Sequence, residues 1–177
     1  SGTPQACVQA TIHILVTEYK KTNPDVNVTF TDSVVTGNLR TNDFVPTGTT
    51  YGTPIPSPDN KTSELPTINP DGTYTFKASK PGVYKFSVPV CPPGVSVNCP
   101  MELLTITVLD PYNSTNSPVA NTDLGRTKEG LPIVINTLGN DRSGNQGIPL
   151  DVASVSVVTP PRNGTATVDG NGNIKYT

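Results

Sequence analysis

The sequence predicts an all-β chain built as a tandem array of thin antiparallel β-sandwiches. The 177 residues are only 33% hydrophobic, which is low for one compact core of that length. The 19 prolines and 15 glycines favour short strands and turns, and no stretch of about 12 residues free of Pro and Gly carries a helical apolar stripe. Several segments instead alternate apolar and polar residues, which is the pattern of half-buried strands.

The clearest strands lie between Gly82 and Leu109. Alternate positions are apolar in each of two runs: Tyr84, Phe86, Val88 and Val90 in the first, and Leu104, Ile106 and Val108 in the second. The Pro/Gly-rich connection between them contains Cys91 and Cys99. We therefore predict a hairpin closed by a disulfide, since no second cysteine pair is present to complete a four-ligand metal site.

The chain also repeats itself. Residues 7–16 match residues 99–108, and Ile12, Ile14 and Val16 fall on Leu104, Ile106 and Val108. Later matches join Asn42-Asp43 to Asn140-Asp141 and residues 71–76 to residues 171–176, and small loop insertions account for the drifting register. Ordered matches of this kind predict a tandem array with units of roughly 95 residues.

The repeat predicts the domain organisation. Residues 1–19 are the last strand of a preceding unit, 20–110 form a complete unit, 111–117 are a linker, and 118–177 begin a second unit that lacks its last strands. Cys7 is unpaired within this window, with its partner expected upstream of Ser1. The missing strands belong to a longer chain, which we favour, or residues 8–17 of another copy complete the open unit.

Individual strands follow from the same alternation. They are expected at Val26–Phe30, Ser33–Leu39, Glu64–Ile68, Thr73–Ala78, Val83–Val90, Leu103–Leu109, Leu131–Ile135, Val152–Val158, Thr165–Val168 and Ile174–Thr177. The tetrad from Asp169 to Gly172, between two alternating runs, predicts a hairpin turn.

Composition also excludes several classes of function. The net charge of −2 with scattered Lys and Arg argues against nucleic-acid binding, and no apolar run is long enough for membrane insertion. The cysteine pair in an all-β chain indicates an oxidising, extracellular setting. His13 is the only histidine, lies in the outward phase of its strand, and has no G-x-S-x-G motif beside it. We therefore predict that the chain is not an enzyme.

Calcium is the one cofactor for which the sequence offers candidates. Asp141 and Asp151 lie in the run from Asn140 to Asp151, and Asp110 and Asp123 lie near the predicted junction. Ca²⁺ requires six to eight oxygen ligands. However, Arg142 interrupts the run, and the first unit has no acidic counterpart after Asp43. Asn-Asp turns explain the pattern equally, so we expect no bound cofactor.

A ligand-binding role is the alternative to a structural one. The chain has no Trp to form a flat sugar platform, and most aromatic residues alternate into the predicted core. Tyr51, in the Pro-rich segment 51–61, is the candidate contact for a glycan or protein ligand. An accessory domain of a secreted polysaccharide-active enzyme is a further alternative.

Three motifs of the second unit carry a resemblance. They are Thr137-Leu-Gly-Asn-Asp141, Pro161-Arg-Asn-Gly-Thr165 and Gly172-Asn-Ile-Lys-Tyr-Thr177. They resemble the bacterial immunoglobulin-like or cadherin-like repeats of large surface adhesins, and the Cys-bearing ending of the first unit resembles repeats of type IX-secreted gliding adhesins of Bacteroidota. The resemblance implies elongated tandem immunoglobulin-like sandwiches on the cell surface, with neighbouring repeats as partners. It also implies an O-glycosylation site at Ser33, within Asp32-Ser33-Val34.

Overall fold

The computed structural model describes residues 21–177, so the predictions for the first 19 residues, Cys7 and His13 lie outside the described part. Its eleven strands are β1 (Asp25–Phe30), β2 (Val35–Asn38), β3 (Thr50–Tyr51), β4 (Ile55–Pro56), β5 (Thr67–Ile68), β6 (Thr73–Phe76), β7 (Gly82–Cys91), β8 (Met101–Leu109), β9 (Ile133–Ile135), β10 (Ala166–Val168) and β11 (Ile174–Tyr176). Two single 3₁₀ turns lie at Leu39–Thr41 and Val152–Ser154, and residues 21–177 contain no α-helix. Within that range no helix could cross a membrane.

The first unit is a sandwich of two sheets. One sheet has the order β1-β8-β7-β3, with β4 also paired to β7, and the other has the order β2-β6-β5. Strands β7 and β8 form the predicted antiparallel hairpin, whereas β1 runs parallel to β8. Strand β1 starts opposite Leu104 and ends opposite Leu109. The first and last strands of the unit are therefore neighbours, which is a non-local arrangement that the hairpin alone did not indicate.

The core lies between these two sheets. The predicted alternation of β7 and β8 is confirmed, since their inward residues are fully or almost fully buried. The Phe76 ring of the second sheet lies 5.4 Å from the Tyr84 ring and 5.3 Å from the Phe86 ring in tilted or edge-on geometry. The cluster comprises Val35, Leu39, Tyr51, Tyr74, Phe76, Ala78, Tyr84, Phe86, Val88, Val90, Leu104, Ile106 and Val108.

The second unit repeats one sheet of the first. Its strands β9, β11 and β10 pair in the order in which β2, β6 and β5 pair. In the second unit, Ile174 pairs with Ile135 on one side and with Val168 on the other. In the first unit, Tyr74 pairs in the same way with Gly37 and with Ile68. The hairpin turn after Asp169 forms as predicted. The same pairing in both units supports a duplicated β unit.

The other sheet has no counterpart in the described part of the second unit. No strand there follows β11, and residues 123–128, which correspond to β1, are not in a strand. All the buried apolar residues of the described chain precede Asp110. The described part of the second unit thus contains one sheet of three strands.

One strand prediction needs correction, and two short strands were not predicted. Residues 152–158 form a 3₁₀ turn and an irregular segment, because the Asp151 side chain accepts a hydrogen bond from the Ala153 amide and caps the turn. Val158 is 89% exposed, so this apolar residue does not belong to a buried strand. Conversely, β3 and β4 were not predicted, since each has only two residues and no alternation is visible at that length.

Cys91 and Cys99 form a disulfide at the far end of β7, where their Cα atoms lie 4.9 Å apart. On the chain-entropy account, closing so short a loop stabilises the folded unit by roughly 2–3 kcal/mol. The bond joins the last residue of β7 to the loop just before β8. It therefore fixes the hairpin where its hydrogen-bonded ladder stops.

We predict that Cys99→Ser, made in a Cys7→Ser background, lowers the unfolding temperature of the first unit. Each kcal/mol lost corresponds to about 4–8 °C for a domain of this size. Val97→Ser is the matched control, because Val97 is 71% exposed in the same loop. Thermal melts followed by circular dichroism measure the effect. Equal melting with and without reductant would contradict the prediction.

Candidate functional site

The four aspartates considered as calcium candidates divide into two groups. Asp110 and Asp151 each accept a backbone hydrogen bond two residues further on, from Tyr112 and Ala153. Asp123 and Asp141 lie close enough for the charge of Asp141 to raise the pKa of Asp123, whose burial is the larger cause, to about 6. No group of three or more His, Cys, Asp and Glu side chains in residues 21–177 could hold a metal ion.

Tyr51 does not fit its predicted role as a ligand contact. Its ring is 4% exposed and belongs to the core, and its hydroxyl donates to Asp43 Oδ2 at 2.6 Å. Burial and this hydrogen bond raise the pKa of Tyr51. The segment 51–61 therefore has no tyrosine ring available for stacking on a sugar. Ser33, the proposed glycosylation residue, lies half-buried in the turn between β1 and β2.

The most distinctive polar feature lies where the chain enters the first unit. The backbone amide of Asn23 donates to Asp43 Oδ1 at 2.9 Å, and the Asn23 side chain donates to the Asn42 carbonyl at 2.5 Å. Lys21 and Phe44 exchange two backbone hydrogen bonds beside them. We call these contacts the entry clip. They tie the segment before β1 to the residues that follow β2.

The second unit has the same clip. Asn121 donates its amide to Asp141 Oδ1 at 2.7 Å and its side chain to the Asn140 carbonyl at 2.5 Å. Val119 and Arg142 exchange the two backbone hydrogen bonds. The internal repeat predicted the Asn-Asp pair of each clip, but not the asparagine that this pair binds. A constant separation of 98 residues for both parts is the signal that would have identified it.

Local hydrogen bonds also order the connection between the units. Asp110 and Asn113 each close a turn over the following residues, and Asn116 donates to the carbonyls of Asp110 at 2.6 Å and Gly144 at 3.0 Å. Gly144 has φ of 85°, and a Cβ there would lie 2.6 Å from the Ser117 carbonyl oxygen. The linker is thus fastened to the first unit at one end and to a loop of the second unit at the other.

Beneath the first entry clip, carboxyl groups lie close together. Glu102 of β8 points inward and is 3% exposed, and neither of its carboxyl oxygens has a hydrogen-bond donor. Asp25 at the start of β1 also has one buried oxygen without a donor. Two ionised groups so placed would repel each other in a medium of low dielectric constant. The arrangement therefore requires a proton.

Burial raises the pKa of both carboxyl groups. Burial is the largest cause that raises the pKa of Glu102, and hydrogen bonding and charge from Asp25 add to it. The pKa of Asp25 is raised as well, again chiefly by burial. A proton retained by this pair supplies a donor in a place where these buried oxygens have none from other groups. The Arg40 guanidinium group donates to the Pro46 and Thr49 carbonyls.

A cavity of about 540 Å³ separates the two units. One wall is the outer edge of β1 and β2 in the first unit, and the other is the segment before β9 and β9 itself in the second. At one end the Arg126 guanidinium lies 4.9 Å from the centre of the Phe44 ring. The first wall is mostly polar, whereas the second includes Leu124, Ile133 and Ile135.

The buried carboxyl groups predict that the first unit is less stable at higher pH. A carboxyl group with a higher pKa in the folded chain gives stability that is complete below its unfolded pKa, 4.5 for Glu102, and is lost as pH rises toward the folded pKa. Asp25 has the same sign. We expect the unfolding temperature to fall from about pH 5 to about pH 8, with an upper limit of about 1.4 kcal/mol per pH unit for each proton.

Glu102→Gln should flatten this pH dependence and raise stability at about pH 8 by roughly 1–3 kcal/mol, because no proton has to be retained on folding. Chemical denaturation at several pH values measures both effects. Glu64→Gln is the control, since hydrogen bonds from Thr62 and Ser79 lower the pKa of Glu64 to about 2 and its titration falls below this range. A wild-type unit whose stability rises over the same range would contradict this assignment.

Comparison with known proteins concerns the second unit. No curated protein sequence shows significant similarity to this chain. Residues 113–177 match the sequence profile of a bacterial Ig domain. This match and the nearly all-β structure establish an immunoglobulin-like all-β fold. Such a domain is typical of structural or binding modules of surface proteins.

Proposed function

We propose that the units are structural spacer repeats of an extracellular filamentous adhesin that mediates surface attachment or gliding. The observation that carries the proposal is the entry clip, present in both units with the same hydrogen bonds. A spacer has to transmit orientation from one repeat to the next. Clips that fasten each linker to its unit do this without any catalytic group.

The strand order of the first unit also suits a chain under tension. The chain enters at Asp25 and leaves at Leu109, and these residues lie at opposite ends of the parallel pair β1 and β8. Force applied along the chain therefore shears that pair, so that the hydrogen bonds along all six residue pairs bear load together. The disulfide adds a covalent link in the hairpin that contains β8. An extracellular location agrees with that disulfide.

Single-molecule pulling tests this use of the fold. Handles at Lys21 and Asp110 load β1 and β8 in shear. Handles at Thr31 and Asp110 instead pull on the same end of the two strands, so that their hydrogen bonds break one at a time. We expect a clearly higher unfolding force in the first geometry, because the bonds share the load. Equal forces in the two geometries would contradict a load-bearing role.

Asn116→Ala should loosen the connection between the units, because it removes both hydrogen bonds that Asn116 donates across the linker. ¹⁵N relaxation of the two units measures this as separate rotational correlation times in the variant and a common time in the wild-type chain. Asn113→Ala is the control, since Asn113 accepts only local hydrogen bonds from Thr115 through its side chain. Independent tumbling in the wild-type chain would contradict the proposed rigid connection.

A further inference from the structure

The chain contains two asparagines that are directly followed by glycine, and both lie in the second unit. An Asn-Gly pair can react with itself, because the glycine nitrogen can attack the side-chain amide of the preceding asparagine and no Cβ shields that nitrogen. The pairs are Asn163-Gly164, in the loop before β10, and Asn171-Gly172, in the turn between β10 and β11. Their surroundings differ in the contacts that decide whether this reaction occurs.

The pair Asn171-Gly172 is held in an unreactive arrangement. The Gly172 amide donates to the Asp169 carbonyl at 3.1 Å, and the Gly172 carbonyl accepts from the Thr137 hydroxyl at 2.6 Å. Gly172 is buried, and a Cβ there would lie 2.9 Å from Leu138 Cδ1. Attack by this nitrogen would break its hydrogen bond and move a packed glycine, so the turn protects Asn171.

The pair Asn163-Gly164 has none of these restraints. Both residues are exposed, and neither the Gly164 amide nor the Asn163 side chain has a hydrogen-bond partner among residues 21–177. Gly164 has a φ of 75°, a conformation that glycine adopts without strain. The attacking nitrogen and the amide that it attacks are therefore both free to approach each other.

One hydrogen bond at this pair favours the reaction. The Tyr176 hydroxyl donates to the main-chain carbonyl of Asn163 at 2.9 Å. That carbonyl and the Gly164 nitrogen belong to the same peptide group, so the negative charge that develops when the nitrogen loses its proton spreads onto the oxygen that Tyr176 contacts. A donor aimed at a developing oxyanion stabilises it. Tyr176 thus increases the fraction of the reactive anion.

We propose that Asn163 is a site of spontaneous modification, at which the chain converts this residue to aspartate and isoaspartate without an enzyme. The Gly164 nitrogen loses its proton to solvent base and bonds to Asn163 Cγ, the Cγ–Nδ2 bond breaks, and ammonia leaves. Water then opens the resulting succinimide. Opening at Cγ gives aspartate, and opening at the main-chain carbonyl gives isoaspartate, so the net change is loss of ammonia and gain of water.

The product changes both the charge and the main chain at one edge of the sheet. Isoaspartate adds one carbon to the main chain just before Thr165, which exchanges two backbone hydrogen bonds with Thr177. Either product adds a carboxylate beside β10, an outer strand in the order β10-β11-β9. A charge beside an edge strand disfavours pairing with a strand of another chain. The modification therefore alters the surface that this edge presents and leaves the core intact.

Peptide mapping by mass spectrometry tests the proposal on the full chain after incubation at mildly alkaline pH. The peptide that contains Asn163 should gain the mass of an amide-to-acid exchange, and fragmentation that separates the two isomers should detect isoaspartate. Asn171 is the internal control and should convert roughly tenfold more slowly, since one hydrogen bond to a buried amide corresponds to about that factor. The rate at Asn163 should rise with pH, because the attacking nitrogen has to lose a proton.

Tyr176→Phe tests the contribution of the hydroxyl. The variant keeps the ring and should slow conversion of Asn163 by roughly fivefold, and an unchanged rate at Asn171 shows that the turn is intact. In guanidinium chloride the two asparagines should convert at similar rates, because the protection of Asn171 is lost. An Asn163 that stays intact in the folded chain, or that converts no faster than Asn171, would overturn the proposal. A rate unaffected by Tyr176→Phe would overturn the role of Tyr176.

Discussion

The parallel pairing of β1 with β8 is the constraint on which the first unit depends. Strand β8 closes the core between its two neighbours, β1 and β7, so the unit is complete only when its first and last strands meet. The same pair separates the entry and the exit of the chain. One non-local ladder therefore determines the packing of Leu104 and Ile106, the position of Glu102 and the direction in which tension acts.

The buried carboxyl groups lie at the end of this ladder, beside the entry clip. Glu102 occupies an inward position that an apolar residue would fill at lower cost, since a protonated carboxyl group forfeits free energy at neutral pH. It lies directly beneath the entry clip, next to Asp25 and the Asp43 that holds Asn23. A polar interior at this end leaves hydrogen-bonding groups available to orient the linker, which a purely apolar end would not provide.

The sequence predicted what depends on local pattern and missed what depends on distant pairing. The alternation of apolar residues in Tyr84 to Val90 and in Leu104 to Val108 predicted the hairpin, and the cysteines at its end predicted the disulfide. Neither pattern could show that β1 lies beside β8, because parallel strands leave no turn signature. Tyr51 looked like a loop residue because β3 is two residues long, yet its hydroxyl completes the clip through Asp43. Only part of the clip was predicted, since the repeated Asn-Asp pair was recognised but the equal spacing of Asn23 and Asn121 was not.

The same strand order makes the last strand of the unit depend on contacts with distant residues. Strand β8 is joined to β7 by a short disulfide-closed loop, but its other neighbour, β1, lies at the opposite end of the unit in sequence. The β1–β8 ladder therefore closes a long loop, and its contacts have to offset that loss of chain entropy. The entry clip favours this closure, because it fastens the segment before β1 to the residues that follow β2 and so restricts where β1 lies.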